Sequence, residues 1–182
     1  MKKILMVIVL SMVLIISTLI AGNLNLRAAD FNPDVDIYGG VGFLPLGEYS
    51  TFGFKGGAEL GVTTNFNMLT EASFYTLRAP ATEFDDVELD LSIYQISLSR
   101  SLFTWGEEDD SSLDVLGGIG LYRFKALGNI VNEFGVHIGP SIKQNITENL
   151  NLKSKLYITT GVESELLDQG LIELSGGLSY SF

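Results

Sequence analysis

Read backwards from Phe182, alternate residues of the last stretch fall into two rows. Phe182, Tyr180, Leu178, Gly176, Leu174 and Ile172 form one; Ser181, Ser179, Gly177, Ser175 and Glu173 form the other. A repeat of two is the pattern of a β-strand with one apolar and one polar face. Seven earlier stretches read in the same way, so the chain predicts eight strands. The first, about 34–44, sets Val35, Ile37, Gly39, Val41 and Phe43 on one face. The second, about 51–63, opposes Phe52, Phe54, Gly56, Ala58, Leu60 and Val62 to Gly53, Lys55, Gly57, Glu59, Gly61 and Thr63. The third, about 67–78, alternates Thr70, Ala72 and Phe74 with Glu71, Ser73 and Tyr75. The fourth, about 87–103, begins with Val87, Leu89, Leu91 and Ile93 outward and then changes parity to Tyr94, Ile96 and Leu98, which predicts a β-bulge. In the fifth, about 113–125, glycines blur the alternation and the faces stay unassigned.

The sixth strand, about 133–146, opposes Phe134, Val136, Ile138, Pro140 and Ile142 to Gly135, His137, Gly139, Ser141 and Lys143. Pro140 cannot donate to a ladder, so a local bulge is expected there. The seventh, about 149–160, opposes Leu150, Leu152, Leu156 and Ile158 to Asn151, Lys153, Lys155 and Tyr157. Segments 64–67 and 147–149 are tight turns by composition, and 104–112 is longer and acidic. The connections 45–50, 79–86, 126–132 and 161–169 are mostly longer, so shorter turns are expected at one end and longer loops at the other.

Only the first residues break the strand pattern. Lys2 and Lys3 precede an apolar run through Ile20, the n-region and h-region of a secretory signal. An uncleaved apolar anchor is the competing reading. Cleavage near Ala28 or Ala29 divides the chain into a signal peptide, 1–29, and a β-domain, 30–182. Removing 1–29 takes away Lys2, Lys3 and Arg27 but none of the 22 acids, so the net charge falls from −11 to −14. That sign excludes a nucleic-acid partner. The absence of Cys excludes disulfides and lipoprotein attachment.

Alternation alone does not say which face is inside. The polar rows are rich in Gly and Ser rather than Lys and Glu, which suits the crowded interior of a narrow barrel. The acids collect in connections: Glu83, Asp85 and Asp86, then Glu107, Glu108, Asp109 and Asp110. Aromatic residues near strand ends, Phe43, Tyr49, Phe52, Phe66, Phe103, Trp105, Tyr180 and Phe182, suit two membrane-interface girdles. The prediction is an all-β fold, an eight-stranded antiparallel up-and-down transmembrane barrel, closed because an open edge in lipid leaves backbone groups unpaired. Its inward rows carry Lys55, Glu59, Glu71, Lys143, Lys153, Lys155 and Glu173, with Tyr38, Tyr75 and Tyr157. Charges kept from water must pair, so these predict an interior ion-pair network that fills the lumen; a selectivity filter is the sharper alternative.

The terminal GGLSYSF ending at Phe182, the segment GVHIGPSIKQNITENLNLKSKLYI from Gly135 to Ile158, and GGIGLYRF from Gly117 to Phe124 carry a resemblance. In pattern, the chain resembles the small eight-stranded outer-membrane barrels of the OmpA, OmpX and OmpW kind. The resemblance implies an outer-membrane location after export and contact with membrane lipid and lipopolysaccharide. It also implies recognition of the strand ending at Phe182 by the outer-membrane assembly machinery. It implies a structural or surface-contact role through the loops; the alternatives are a narrow channel for small or hydrophobic solutes and, last, a lipid A-modifying enzyme. In barrels of that enzymatic kind a His and a Ser act together. His137 is the only histidine, and Ser141 lies about 13 Å from it at strand rise, beyond hydrogen-bond reach. A Ser on another strand could still serve, but His137 falls on the inward row, away from a lipid substrate, so no catalytic set is expected; no cofactor or metal site is expected either, and zinc lacks both Cys and a second His. The acids Glu83, Asp85, Asp86, Glu88 and Asp90 lack the EF-hand order of ligands. They read as a solvated loop, with divalent cations bridging to anionic lipid as the alternative.

Overall fold

A sheet whose strands alternate apolar and polar faces can bury its backbone groups completely by bending until its first and last strands pair. The computed structural model does this. It describes residues 35–46, 49–63, 66–79, 87–106, 110–162, 167 and 170–182. The strands are β1 (Val35–Leu46), β2 (Tyr49–Thr63), β3 (Phe66–Ala79), β4 (Val87–Trp105), β5 (Ser111–Ala126), β6 (Asn129–Asn145), β7 (Leu150–Gly161) and β8 (Leu171–Ser181). Each pairs antiparallel with the next, and β1 closes on β8 from Asp36 opposite Ser181 to Phe43 opposite Leu174. The predicted signal segment, 1–29, lies outside the described residues.

The barrel is inverted relative to a water-soluble one. Its outer surface presents Ile37, Val41, Phe54, Phe74, Ile96, Ile119, Phe134, Leu152 and Leu178. Its buried set combines Ser, Thr, Lys, Glu and Tyr with a group of leucines. Phe52 and Phe54 are 73% and 76% exposed, while the side chains of Lys55 and Glu173 are at most 2% exposed. Burying charges while exposing phenylalanines is stable only where the surroundings of the barrel are themselves apolar.

Two predicted irregularities are corrected. The parity of β4 does not switch at Ile93. Leu91, Ile93, Gln95, Ser97 and Ser99 all face inward, and the register with β3 and β5 runs unbroken through Ile93 and Tyr94. The apolar inward pair, Leu91 and Ile93, mimics an outward row by hydropathy alone. The irregularity against β5 lies further on, between Ser101 and Phe103, and a second sits between Gly61 and Thr63 against β3. Nor does Pro140 carry a bulge. The pairing of Ile138 with Ile158 and of Ser141 with Lys155 keeps one register, and the chain passes Gly139–Pro140 without inserting a residue. The inward Gly139 makes that passage possible, because a Cβ there would collide with the Leu156 carbonyl.

The loop asymmetry is also weaker than expected. At the end opposite the termini, the strand bounds leave seven residues between β3 and β4 and nine between β7 and β8, but two each between β1–β2 and β5–β6. The β5–β6 connection is a hairpin turn at Leu127–Gly128, where both residues take positive φ, 50° and 81°, as a tight primed turn demands. The faces of β5 are now assigned: Leu116, Gly120 and Tyr122 point inward, while Ile119 is exposed.

Candidate functional site

Strand parity delivers every predicted interior charge to the lumen, where they form two groups. Near the terminal end, Lys153 Nζ lies 2.7 Å from Asp36 Oδ2 and 2.5 Å from Glu59 Oε2. Lys143, whose side chain is one-third exposed, reaches the same Asp36 oxygen at 3.6 Å. Asn67 donates from Nδ2 to Glu59 Oε1 at 2.7 Å. In the middle, Lys155 Nζ pairs with Glu71 Oε1 at 2.7 Å, and Lys55 Nζ with Glu173 Oε1 at 3.1 Å and Glu71 Oε2 at 3.7 Å. Each lysine therefore lies within 3.7 Å of at least one carboxylate.

Neutral donors complete the middle group. Tyr157 donates its hydroxyl to Glu71 Oε2. Ser73 Oγ and Tyr75 OH donate to Glu173 Oε1 at 2.9 and 2.6 Å. Lys55 also donates to Gln95 Oε1 at 3.2 Å and stands 4.0 Å over the Tyr157 ring, while Lys155 stands 4.5 Å over Tyr38. Such charge-assisted contacts offset the cost of taking the ions out of water. Gln95 Nε2 then donates to Tyr122 OH at 3.2 Å, and that hydroxyl lies 2.9 Å from Thr159 Oγ1.

Above this, toward the end opposite the termini, the lumen turns apolar. Leu44, Leu91, Ile93, Leu167 and Leu171 pack with the rings of Tyr75 and Tyr122, and Phe124 rests against them. Glycine makes room for the rings. Tyr75 lies over the inward positions of Gly42 and Gly53, where any Cβ would meet it. Leu167 comes from the β7–β8 connection, held by its N–H to Glu133 Oε2 at 3.2 Å and by Gly170 N–H donating to its carbonyl at 3.0 Å.

Asp36, Gln95, Ser97 and Tyr122 also belong to the lumen, beyond the inward residues that the sequence pattern predicts. Asp36 stands two residues before Tyr38 on the same inward row, so its parity was the available signal. The lumen also answers the His–Ser question with a different serine. Ser97 Oγ of β4 lies 2.7 Å from His137 Nε2 of β6 over the intervening Gly118 of β5, and the His137 ring meets Tyr157 edge-on at 5.1 Å. Nδ1 of His137 has no partner among the described residues.

The aromatic residues sit toward the two ends. Phe43 and Phe52 stack 5.0 Å apart near the β1–β2 connection. At the terminal end, Phe103 and Trp105 lie 5.4 Å apart, Tyr180 and Phe182 lie 5.0 Å apart, and Arg100 stands 5.5 Å over Phe66. Phe54, Phe74, Tyr94 and Phe134 add outward rings between them. Of the predicted acidic clusters, Glu83, Asp85, Asp86 and 107–109 lie outside the described residues. Among the described residues no three His, Cys, Asp or Glu could hold a metal together, and Asp90 is engaged by Thr76 at 2.9 Å and Lys125 at 3.6 Å.

No known family profile matches the sequence, and no characterised protein matches it in sequence. The fold does have solved counterparts. Ail, the attachment invasion locus protein of Yersinia pestis, crystallised with the heparin analogue sucrose octasulfate, superposes with a TM-score of 0.55 at 16% identity, covering 83% of this chain and 99% of Ail. Neisserial surface protein A gives 0.60 at 13% identity, covering 82% of this chain and 97% of that one. A major outer membrane protein of Thermus thermophilus gives 0.60 at 10% identity, covering 81% and 99%. At such identities the likeness concerns architecture, and in architecture this chain is one of the small, closed, eight-stranded barrels of outer-membrane proteins.

Proposed function

We propose that residues 30–182 form an integral outer-membrane barrel, exported through the 1–29 segment, that serves envelope structure or surface contact and not solute passage. The observation that carries this reading is the filled lumen. Lys55, Glu71, Lys155 and Glu173 meet across its middle with side chains at most 2% exposed, and an apolar layer lies above them. An eight-stranded barrel has an interior that side chains can fill, and here they fill it. The outward apolar rows then face acyl chains, with aromatic rings near both boundaries. The strand ending in Tyr180 and Phe182 serves, in this reading, as the segment handled by the assembly machinery. The buried Ser97–His137 pair is structural, because it lies in the lumen while a lipid substrate would approach from outside.

Surface contact is set by charge. Ail is crystallised with a sulfated sugar, but in 30–182 the acids exceed the bases by 14 (22 − 8), which disfavours a polyanionic partner for the loops. The test is twofold. Fractionation followed by a gel run with and without boiling should give a compact, detergent-resistant band in the outer membrane. Planar-bilayer recordings of that material should give no stable unitary conductance. A soluble periplasmic monomer would end the membrane reading, and steady single-channel steps would replace it with a narrow channel.

A further inference from the structure

The outward face of the barrel holds few cations. Four of its lysines, Lys55, Lys143, Lys153 and Lys155, are committed to carboxylates of the lumen. On β5, however, the outward row runs Ile119, Leu121, Arg123, Lys125, so that apolar side chains give way to two successive bases toward the end opposite the termini. The neighbouring strands change at the same level. Arg123 lies opposite Ser92 of β4 and Asn132 of β6, and Ser92 opposite Phe74 of β3. One row below come Tyr94, Leu121 and Phe134, with Tyr94 edge-on to Phe74 at 6.0 Å. On β4 to β6, Ser92, Arg123 and Asn132 thus form the first polar row above an aromatic one, with Phe74 of β3 in register beside it, the level at which a membrane lipid carries its headgroup.

Charge pairing separates the two bases. Lys125 is tied to Asp90 at 3.6 Å, and Thr76 donates to that same carboxylate at 2.9 Å. Arg123 is exposed and has no side-chain partner among the described residues. Between them opens a cavity of about 270 Å³ lined by Phe74, Thr76, Asp90, Ser92, Arg123 and Lys125. It offers a guanidinium fork, an ammonium and a serine hydroxyl beside a phenylalanine ring. Guanidinium matches the paired oxygens of a phosphate, and a base at a membrane surface attracts anionic headgroups.

We propose that this cavity is a docking site for the phosphate headgroup of an anionic, phosphorylated lipid in the leaflet around the loop end of the barrel. The proposal rests on the membrane reading above. Arg123 takes the phosphate oxygens, Ser92 donates to a third, and Phe74 lies under the first carbons of the acyl region. Asp90 opposes the phosphate and draws Lys125 away from it, so it weakens the site.

The experiment uses the full barrel reconstituted in nanodiscs of zwitterionic lipid, titrated with a phosphorylated glycolipid, its dephosphorylated form, or inorganic phosphate. Compact migration on an unboiled gel first reports insertion. The wild type should bind the phosphorylated lipid and not the dephosphorylated one. Arg123→Gln and Lys125→Gln should each weaken binding about five-fold, and Asp90→Asn should tighten it, an opposite sign that general loss of structure would not produce. Inorganic phosphate should bind far more weakly, because it lacks the acyl contact with Phe74. Failure to insert overturns the membrane reading and this one together. Insertion with equal binding of both lipids, or unchanged affinity in Arg123→Gln, overturns the docking site alone, as does inorganic phosphate competing on equal terms.

Discussion

The lumen is built in two ways along its length. Its middle and terminal part is held by ions on different strands: Lys55 of β2 reaches Glu173 of β8 and Lys153 of β7 reaches Asp36 of β1, each over one intervening strand, while Lys155 of β7 reaches Glu71 of β3 across the axis. These strands are not neighbours in the sheet, so each pair fastens parts of the wall that the ladders do not join. The other part is held by volume, with leucines, Ile93 and two tyrosine rings filling the space. The difference lies in what happens when a member is lost. An apolar layer loses contacts in proportion to the atoms removed, whereas an ionic layer is left with an uncompensated charge.

The largest effect should follow from removing Glu71. It accepts from Lys155 and Tyr157 and stands near Lys55, all within the barrel. Glu71→Ala should cost about 3–5 kcal/mol, as for other buried pairs broken on one side, read from urea unfolding of the reconstituted barrel. Glu71→Leu combined with Lys155→Met should recover most of that loss, because replacing both ions leaves neither stranded. Equal losses in the single and double variants would contradict the two-layer distinction. In the apolar layer, Leu91→Ala should cost about 2–4 kcal/mol and Leu91→Met less than about 1.5 kcal/mol. No second substitution in the apolar layer should rescue Leu91→Ala in the way that Lys155→Met rescues its partner.

The two layers were unequally legible in the sequence. Lys55, Glu71, Lys155 and Glu173 stand out because each is a charge at the parity opposite its strand's apolar row. Parity needs only the repeat of two, and the repeat survives in β2, β3, β7 and β8. The apolar layer is hidden by the same logic, since Leu91 and Ile93 are inward residues that look outward. Tyr122 was lost because Gly117, Gly118 and Gly120 erase the alternation around it. The β5–β6 turn is shorter than its sequence predicts because Leu127 and Gly128 lack the Asn-Gly or Asp-Gly signature of a primed hairpin. Pro140 shows the converse. A residue that normally marks a bulge is absorbed because its neighbour Gly139 has no side chain to keep β7 away. Partners on strands that are not adjacent, such as Ser97 of β4 and His137 of β6 on either side of Gly118, depend on the register between strands, which one strand's pattern does not contain.

The boundary between the layers gives the smallest and most discriminating test. Tyr75 and Tyr122 both pack their rings in the apolar layer, but their hydroxyls point into different surroundings. Tyr75 donates to the Glu173 carboxylate at 2.6 Å, whereas Tyr122 meets the neutral Gln95 and Thr159 at 3.2 and 2.9 Å. Substitution by Phe keeps each ring and removes one oxygen, so packing is common to both variants. Hydrogen bonds to charged groups contribute about 1.5–3 kcal/mol and neutral ones about 0.5–1.5 kcal/mol. Tyr75→Phe should therefore cost about 2 kcal/mol and Tyr122→Phe about 1 kcal/mol in the same unfolding assay. If Glu173→Gln is introduced first, the carboxylate charge disappears and the cost of Tyr75→Phe should fall to that of Tyr122→Phe. A cost for Tyr75→Phe that ignores Glu173→Gln would mean that the hydroxyl belongs to the apolar layer and that the ionic one ends below it.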